Sequence, residues 1–178
     1  KKATTEVAAV VETLQNIAIS HPEVAIICKN QNKIALKTSG SNDLCLCLNE
    51  IFSNDLLKHL VLINAVDEGE KYFIDGVVSD PTFTKSNRKS IYIIINGRSI
   101  KCPILTKAVE RAFEDKIPSG RFPLAVVNLI LPTDKVDVNV HPTKKEVRYE
   151  TANSIFGFVN YAIRKALQEG DFYLKKKK

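Results

Sequence analysis

A chain of 178 residues, 44% apolar and 26% charged, can build one full-sized core and has the balance of an ordinary globular protein. No apolar run approaches the length that spans a bilayer, and no basic, apolar, small-residue leader pattern opens the sequence. The net charge of +6 leans toward an anionic partner, but four of the cations lie in the run Lys175–Lys178, so local clusters have to carry any basic-surface argument.

Taken in chain order, Thr4 or Thr5 caps a first helix, with Glu6 near its positive end. Val7, Val10, Val11, Leu14, Ile17 and Ala18 form its apolar stripe. His21-Pro22 ends it, because a residue before proline avoids helical geometry. Val24–Cys28 and Lys33–Lys37 read as strands around the turn Asn30-Gln31-Asn32, which predicts a hairpin. A loop, Ser39–Asn42, leads to a short helix over Asp43–Phe52. Leu60–Val66 and Tyr72–Val78 are two further strands joined by Asp67-Glu68-Gly69. Asp80–Ser90 is a polar loop carrying Lys85, Arg88 and Lys89.

Beyond it, Ile91–Ile95 is an apolar strand closed by the turn Asn96-Gly97. Pro103 suits a first helical turn, and Leu105, Ala108, Val109, Ala112 and Phe113 supply that helix's buried stripe. Pro118-Ser119-Gly120 stops the chain before Phe122–Leu131, whose almost unbroken apolar character predicts a central strand covered on both faces. Val136–His141 alternates, with Val136, Val138 and Val140 on one side and Asp137, Asn139 and His141 on the other, so a strand is expected there. Pro142 breaks it and a basic turn follows. Ile155, Val159, Ala162, Ile163, Ala166 and Leu167 then make an amphipathic helix. The order predicts an α+β fold with helices lying on a mixed sheet. Residues 1–170 are expected to form a single domain, and 171–178 a basic tail that is disordered or appended to the natural chain.

Cys28, Cys45, Cys47 and Cys102 show no zinc spacing and read as small, half-buried side chains in a reducing compartment. No metal site is expected. The sequence holds no Met, even at position 1, so a processed chain or an excised segment is expected.

The chemistry concentrates in Asp137-Val138-Asn139-Val140-His141-Pro142-Thr143-Lys144-Lys145-Glu146-Val147-Arg148-Tyr149. A proline fixes the approach to a turn from which a lysine can extend its ammonium toward a phosphate oxygen. This segment resembles the signature of the MutL family of DNA mismatch repair proteins, "DVNVHPxKxEVRF", departing from it only at Tyr149. Ile95-Asn96-Gly97-Arg98 resembles the family's "VNGR" and Ser86-Asn87-Arg88 its "SNR", and the likeness runs in order from Ala3 to Leu167.

The resemblance implies the second, transducer domain of a GHKL-type ATPase region, with the fold of ribosomal protein S5 domain 2. It implies that Lys144, supported by His141, Pro142 and Thr143, reaches the ATP γ-phosphate held in a preceding ATPase lobe. ATP and Mg²⁺ are expected only in the full-length protein. The sequence lacks a Glu/Asn catalytic box, glycine-rich lids and any phosphate-loop pattern, so this chain is expected to hydrolyse no ATP by itself. His141 reads as shaping the loop rather than moving protons, with Asp137 and Asn139 holding the strand end.

DNA binding is the second theme. Lys85, Arg88 and Lys89 before the Ile91–Ile95 strand, and Arg98 and Lys101 after it, would form one phosphate-contacting surface if both loops lie at the same end of the sheet. Single- or double-stranded DNA, the chain's own ATPase lobe and other mismatch repair proteins are the implied partners. A monomer is expected for the fragment, in a bacterial cytoplasm or a eukaryotic nucleus. Strand-helix-strand crossovers are right-handed in about 98% of cases; the S5 likeness implies a left-handed one here. The alternatives are the transducer domain of another GHKL ATPase, such as a type II topoisomerase, and a stand-alone S5-type RNA-binding domain, which competition between RNA and DNA would separate.

Overall fold

The computed structural model describes the backbone of residues 2–140 and 145–177, and the side-chain surroundings of 4–136 and 151–177. These residues form two compact units, 1–58 and 59–178.

The first unit begins with helix α1 (Lys2–Ser20), which starts before the expected threonine cap. Its apolar stripe is only partly covered: Ala18 is buried and Val7, Val11 and Leu14 are half-buried, while Val10 is 52% exposed. Strands β1 (Ala25–Asn30) and β2 (Lys33–Ser39) pair antiparallel. Gln31 and Asn32 make the two-residue turn, both with positive φ, as such tight hairpins require. The Thr38 hydroxyl is buried but satisfied, accepting from the Ile26 N–H at 3.1 Å. Helix α2 (Leu44–Phe52) begins where expected because the Asp43 carboxylate accepts from the Cys45 and Leu46 N–H groups, at 2.9 and 3.2 Å. Cys45 and Cys47 are buried, and burial, then Glu50, pushes the Cys47 thiol up to about 11. Buried, inert thiols match the reading of the cysteines as packing residues.

The second unit carries β3 (Leu60–Asp67), β4 (Tyr72–Ser79), β5 (Thr84–Lys85), β6 (Ile91–Ile95), β7 (Arg98–Ile100), α3 (Pro103–Ala112), β8 (Phe122–Pro123), β9 (Ala125–Ile130), α4 (Thr133–Val140), α5 (Lys145–Glu169) and α6 (Tyr173–Lys176). Five strands form one sheet in the order β3-β4-β9-β6-β7, and β5 pairs with β8 apart from it. Only β6 and β9 run parallel among these pairs, joined through β7 and α3. The sheet is therefore mixed, as expected.

Helices α3 and α5 pack on the sheet and on each other. Alternate strand residues, Ile63, Ile74, Ile93, Val127 and Leu129 among them, bury against Leu105, Val109, Phe113, Ile155, Val159 and Ile163. The stripes expected for α3 and α5 are thus core stripes. Pro103 sits at the start of α3, where its missing N–H costs nothing. In β9 the residues Ala125–Val127 are buried on both faces, while Ile130 at its end is exposed. Gly76 in β4 has φ +137°, and a Cβ there would meet the Val126 carbonyl oxygen at 2.0 Å. Only glycine lets β4 and β9 close at that point.

Two expectations are corrected. The alternating segment Val136–His141 is not a strand where it is described: α4 occupies Thr133–Val140. Alternation assigns faces only if a sheet edge is there to pair with. The chain here leaves β9, a central strand with neighbours on both sides. A helix supplies its own hydrogen bonds instead, started after Pro132 with Asp134 in the favourable first turn. The terminal stretch is the second correction. The Asp171 carbonyl accepts from the Leu62 N–H at 2.9 Å, Phe172 bridges to Val61, and Tyr173 is buried in α6. Residues 171–176 therefore dock on β3, because aromatic residues precede the lysines and can repay the cost of ordering them.

Candidate functional site

His141, Pro142, Thr143 and Lys144 lie outside the described residues. Their flanks are described: α4 ends at Val140 and α5 begins at Lys145, so the segment joins two helices leaving the end of β9.

That exit is tied down. Asn96 has φ +47° and Gly97 +81°, the geometry of a tight two-residue turn between β6 and β7. The Asn96 amide nitrogen donates to the Leu131 carbonyl at 3.0 Å, and its side-chain oxygen accepts from the Leu131 N–H at 2.9 Å. The Asn96 N–H also donates to the Leu129 carbonyl at 2.9 Å. An asparagine offers both a donor and an acceptor, so it can pair with a peptide group on both sides, as no hydrophobic turn residue can. Four residues past Leu131, the Lys135 ammonium donates to Glu70 in the β3–β4 turn at 3.3 Å. That hydrogen bond, with help from the Tyr72 and Asp134 sides, holds the ammonium above the usual lysine range. The start of α4 is thus fixed to two turns of the sheet. Sequence reasoning marked Asn96-Gly97 as a turn but missed its grip on Leu131, which spans 35 positions and leaves no local signal.

The basic residues divide. Arg98 pairs with Ile95, at the carboxyl end of β6. Lys85, Arg88 and Lys89 precede Ile91, at the amino end, roughly 13 Å away along the strand. Lys101 follows Ile100, which pairs with Ile93 as β7 runs back. The two loops therefore do not share one end of the sheet; the hairpin geometry sends Arg98 to the far end and leaves Lys101 part of the way back.

The loop before β6 is anchored at several points. His59 Nδ1 lies 3.1 Å from Asp80 and 3.1 Å from the Thr82 hydroxyl. The Thr82 N–H donates to Asp80 at 2.8 Å. Burial raises the Asp80 carboxyl, but the Thr82 and His59 hydrogen bonds outweigh it and hold the group below its ordinary value. Ser79 donates to the Phe83 carbonyl at 2.9 Å and accepts from the Leu124 N–H at 3.0 Å. Asn87 caps the Lys89 N–H at 3.0 Å, and Ser90 donates to the Pro123 carbonyl at 3.0 Å. Lys85 sits over the Phe83 ring at 5.4 Å, and Arg88 over the Phe122 ring at 5.1 Å while its Nε–H donates to Glu110. Lys85 and Arg88 are thus each placed over an aromatic ring.

Three basic residues not marked in the sequence join Arg88 here: Lys107 and Arg111 of α3, and Arg121. With Glu110 and Phe122 they line a cleft of about 380 Å³. The spacing of Lys107 and Arg111 by one helical turn was readable, but their proximity to Arg88 is a tertiary fact. Among the described residues, no group of three or more His, Cys, Asp or Glu is arranged to hold a metal ion. Nor is any helix among them long and apolar enough to cross a membrane.

Residues 48–168 match the family model described as the C-terminal domain of DNA mismatch repair protein. The chain is 34% identical over 171 residues to the DNA mismatch repair protein MutL of Streptococcus equi subsp. zooepidemicus, covering 96% of this chain but 26% of that protein. It is 35% identical over 171 residues to the MutL of Streptococcus sanguinis, again over 26% of that protein's length. The chain thus spans about a quarter of these relatives. Among solved structures, the N-terminal domain of a DNA repair protein superposes with a TM-score of 0.71 at 16% identity, over 92% of this chain and 54% of that one. The Aquifex aeolicus MutL ATPase domain complexed with ADP superposes with a TM-score of 0.55 at 22% identity, over 86% and 50%.

Proposed function

Because the chain belongs to the MutL family of DNA mismatch repair proteins, we propose that it is the transducer portion of such a protein. In a protein of the relatives' length, Lys144 contacts the γ-phosphate of ATP held by another lobe, with His141, Pro142 and Thr143 shaping its loop. The observation that carries this reading is the segment Asp137–Tyr149 following directly from a strand exit that Asn96 and Lys135 fasten to the sheet. A contact made with ATP and not with ADP shifts the balance between lobe arrangements, which is what signalling by hydrolysis requires. A loop so used has to leave a rigid base, since a ligand can bias only an element that it meets in one arrangement better than in another. The parallel β6–α3–β9 unit is the crossover that the S5-like reading takes to be left-handed.

The carboxylate and glycine-rich machinery of hydrolysis is expected in another lobe, with Mg²⁺ and nucleotide. This chain alone should release no phosphate from ATP. DNA contact, by Arg98 and Lys101 at the β6–β7 hairpin and by Lys85, Arg88 and Lys89 on the anchored loop, would be to backbone phosphates and insensitive to sequence. Charge reversal at Arg98 and Lys101 tests that part: low-salt DNA affinity should fall about tenfold or more, with a shallower salt dependence. An unchanged affinity would remove the hairpin from the DNA surface.

A further inference from the structure

We propose that the cleft between α3 and the 118–123 segment is a phosphate-binding site that grips the backbone of a nucleic-acid strand, with Arg88 and Arg121 as two pre-set guanidinium forks. It deepens the DNA-binding part of the function proposed above.

The local chemistry starts with a turn. The Arg121 N–H donates to the Pro118 carbonyl at 3.1 Å, and Gly120 in between has φ +79°. No atom lies within 4 Å of where a Cβ would sit on Gly120, so glycine is needed there for backbone conformation, not for space. The turn carries Arg121 back to β5. There its Nε–H donates to the Thr84 hydroxyl and its Nη2 to the Thr84 carbonyl, both at 2.9 Å. Two of the five guanidinium donors hold the fork; the plane is set and the group is exposed.

Arg88 is set in another way. Its Nε–H is bound by Glu110, its plane lies over Phe122, and its side chain is still 62% exposed. Glu110 is only 13% exposed and is shared with Lys107 at 3.5 Å. This carboxylate lines the cleft but is largely covered and already engaged by Arg88 and Lys107, which leaves it little reach toward a ligand. Arg111 lies 3.7 Å from Glu114, and both are well exposed. Four cations thus surround the cleft against two carboxylates, one of them shielded.

Ordering a free arginine on binding costs rotamer entropy; here the fold has already met that cost. A guanidinium fork matches two oxygens of a phosphate in its own plane, which a solvated lysine does not. The cleft's four cations come from three separate segments, the loop before β6, α3 and the 118–121 turn. A polyanion gains from several such contacts, a lone phosphate less so. Phe122 is taken by Arg88, so the site reads backbone charge and not bases.

The test is titration of a labelled single-stranded oligonucleotide into the chain and into Arg121→Gln, Arg111→Gln and Arg98→Glu, at several salt concentrations. Arg121→Gln should weaken binding about fivefold and flatten the salt slope by roughly one phosphate contact, about 0.7. Arg121→Lys, keeping charge without the fork, should recover only part of the loss. Arg111→Gln serves if Arg121→Gln melts early, since the Arg111 side chain is exposed. Inorganic phosphate is titrated in parallel, watching the backbone amide signals of residues 119–122. If Arg98→Glu alone has no effect, the hairpin reading fails and this site stands. If the wild type binds no oligonucleotide but phosphate still moves those signals and loses that effect in Arg121→Gln, a free phosphate ester replaces nucleic acid as the occupant and the strand-gripping part is overturned. Unchanged affinity in both glutamine variants, with no response to phosphate, overturns the site altogether.

Discussion

The two compact units solve the problem of burial differently. Residues 59–178 place two helices on a five-stranded sheet, and both helical stripes meet alternate strand residues in one continuous core. Residues 1–58 consist of a two-stranded hairpin with α1 and α2, and Ile27 and Ile34 on the hairpin remain 60% and 57% exposed. A two-stranded sheet has little stability of its own, whereas a sheet with a covered face does. The rigidity lies in the larger unit. The segments of chemical interest, the Asn96 turn, the exit from β9 and the anchored loop before β6, all belong to the larger unit. Precision at these points therefore comes from a packed sheet rather than from the segments themselves.

The larger unit is most vulnerable at Gly76. Gly76→Ala puts a Cβ into the Val126 carbonyl at an unfavourable φ. We expect a loss of ~4 kcal/mol or more in denaturant unfolding, the range reserved for backbone clashes and core damage. Ile34→Ala in the smaller unit, at an already exposed position, should cost no more than about 1 kcal/mol. Equal costs for the two would mean that the larger unit does not dominate stability.

A smaller effect sharpens the account of the loop before β6. Asp80 is held below its ordinary value of 3.8, so the folded state binds that proton less readily than the unfolded chain. Its contribution is complete above the unfolded value and is lost as pH falls through the lower folded one. Asp80→Asn should therefore reduce stability at neutral pH and show a flatter decline below pH 3.8. Parallel acid limbs in the two proteins would show that the network around His59 and Thr82 does not favour the charged carboxylate.

Much of the larger unit was legible in sequence because its signals are local and mutually consistent. Ile91–Ile95 is bounded by a turn, Pro103 opens a helix whose apolar residues recur at helical spacing, and the dense apolar run after Arg121 has no place except mid-sheet. Asp43 marked the start of α2 by the same kind of chemistry. The misreadings have a common physical origin in tertiary context. Alternation over Val136–His141 predicts a strand, but a chain leaving a central strand finds no edge to pair with. Charge alone predicts a loose lysine-rich terminus, yet Phe172 bridges to Val61 and Tyr173 is buried. At the site, residue types identified the basic loop, but not that Arg88 meets Arg121 and α3 around one cleft. The motif was readable as a string; what fastens its base, Asn96 on Leu131, was not.

In the proposed function, Lys144 is the residue on which nucleotide sensing depends. In a protein of the relatives' length, calorimetric titration with a non-hydrolysable ATP analogue and with ADP should be compared between the wild type and Lys144→Ala. Loss of the γ-phosphate contact predicts analogue affinity about tenfold weaker, ~1.4 kcal/mol, with ADP affinity unchanged. Equal losses for both nucleotides, or no loss for either, would contradict it.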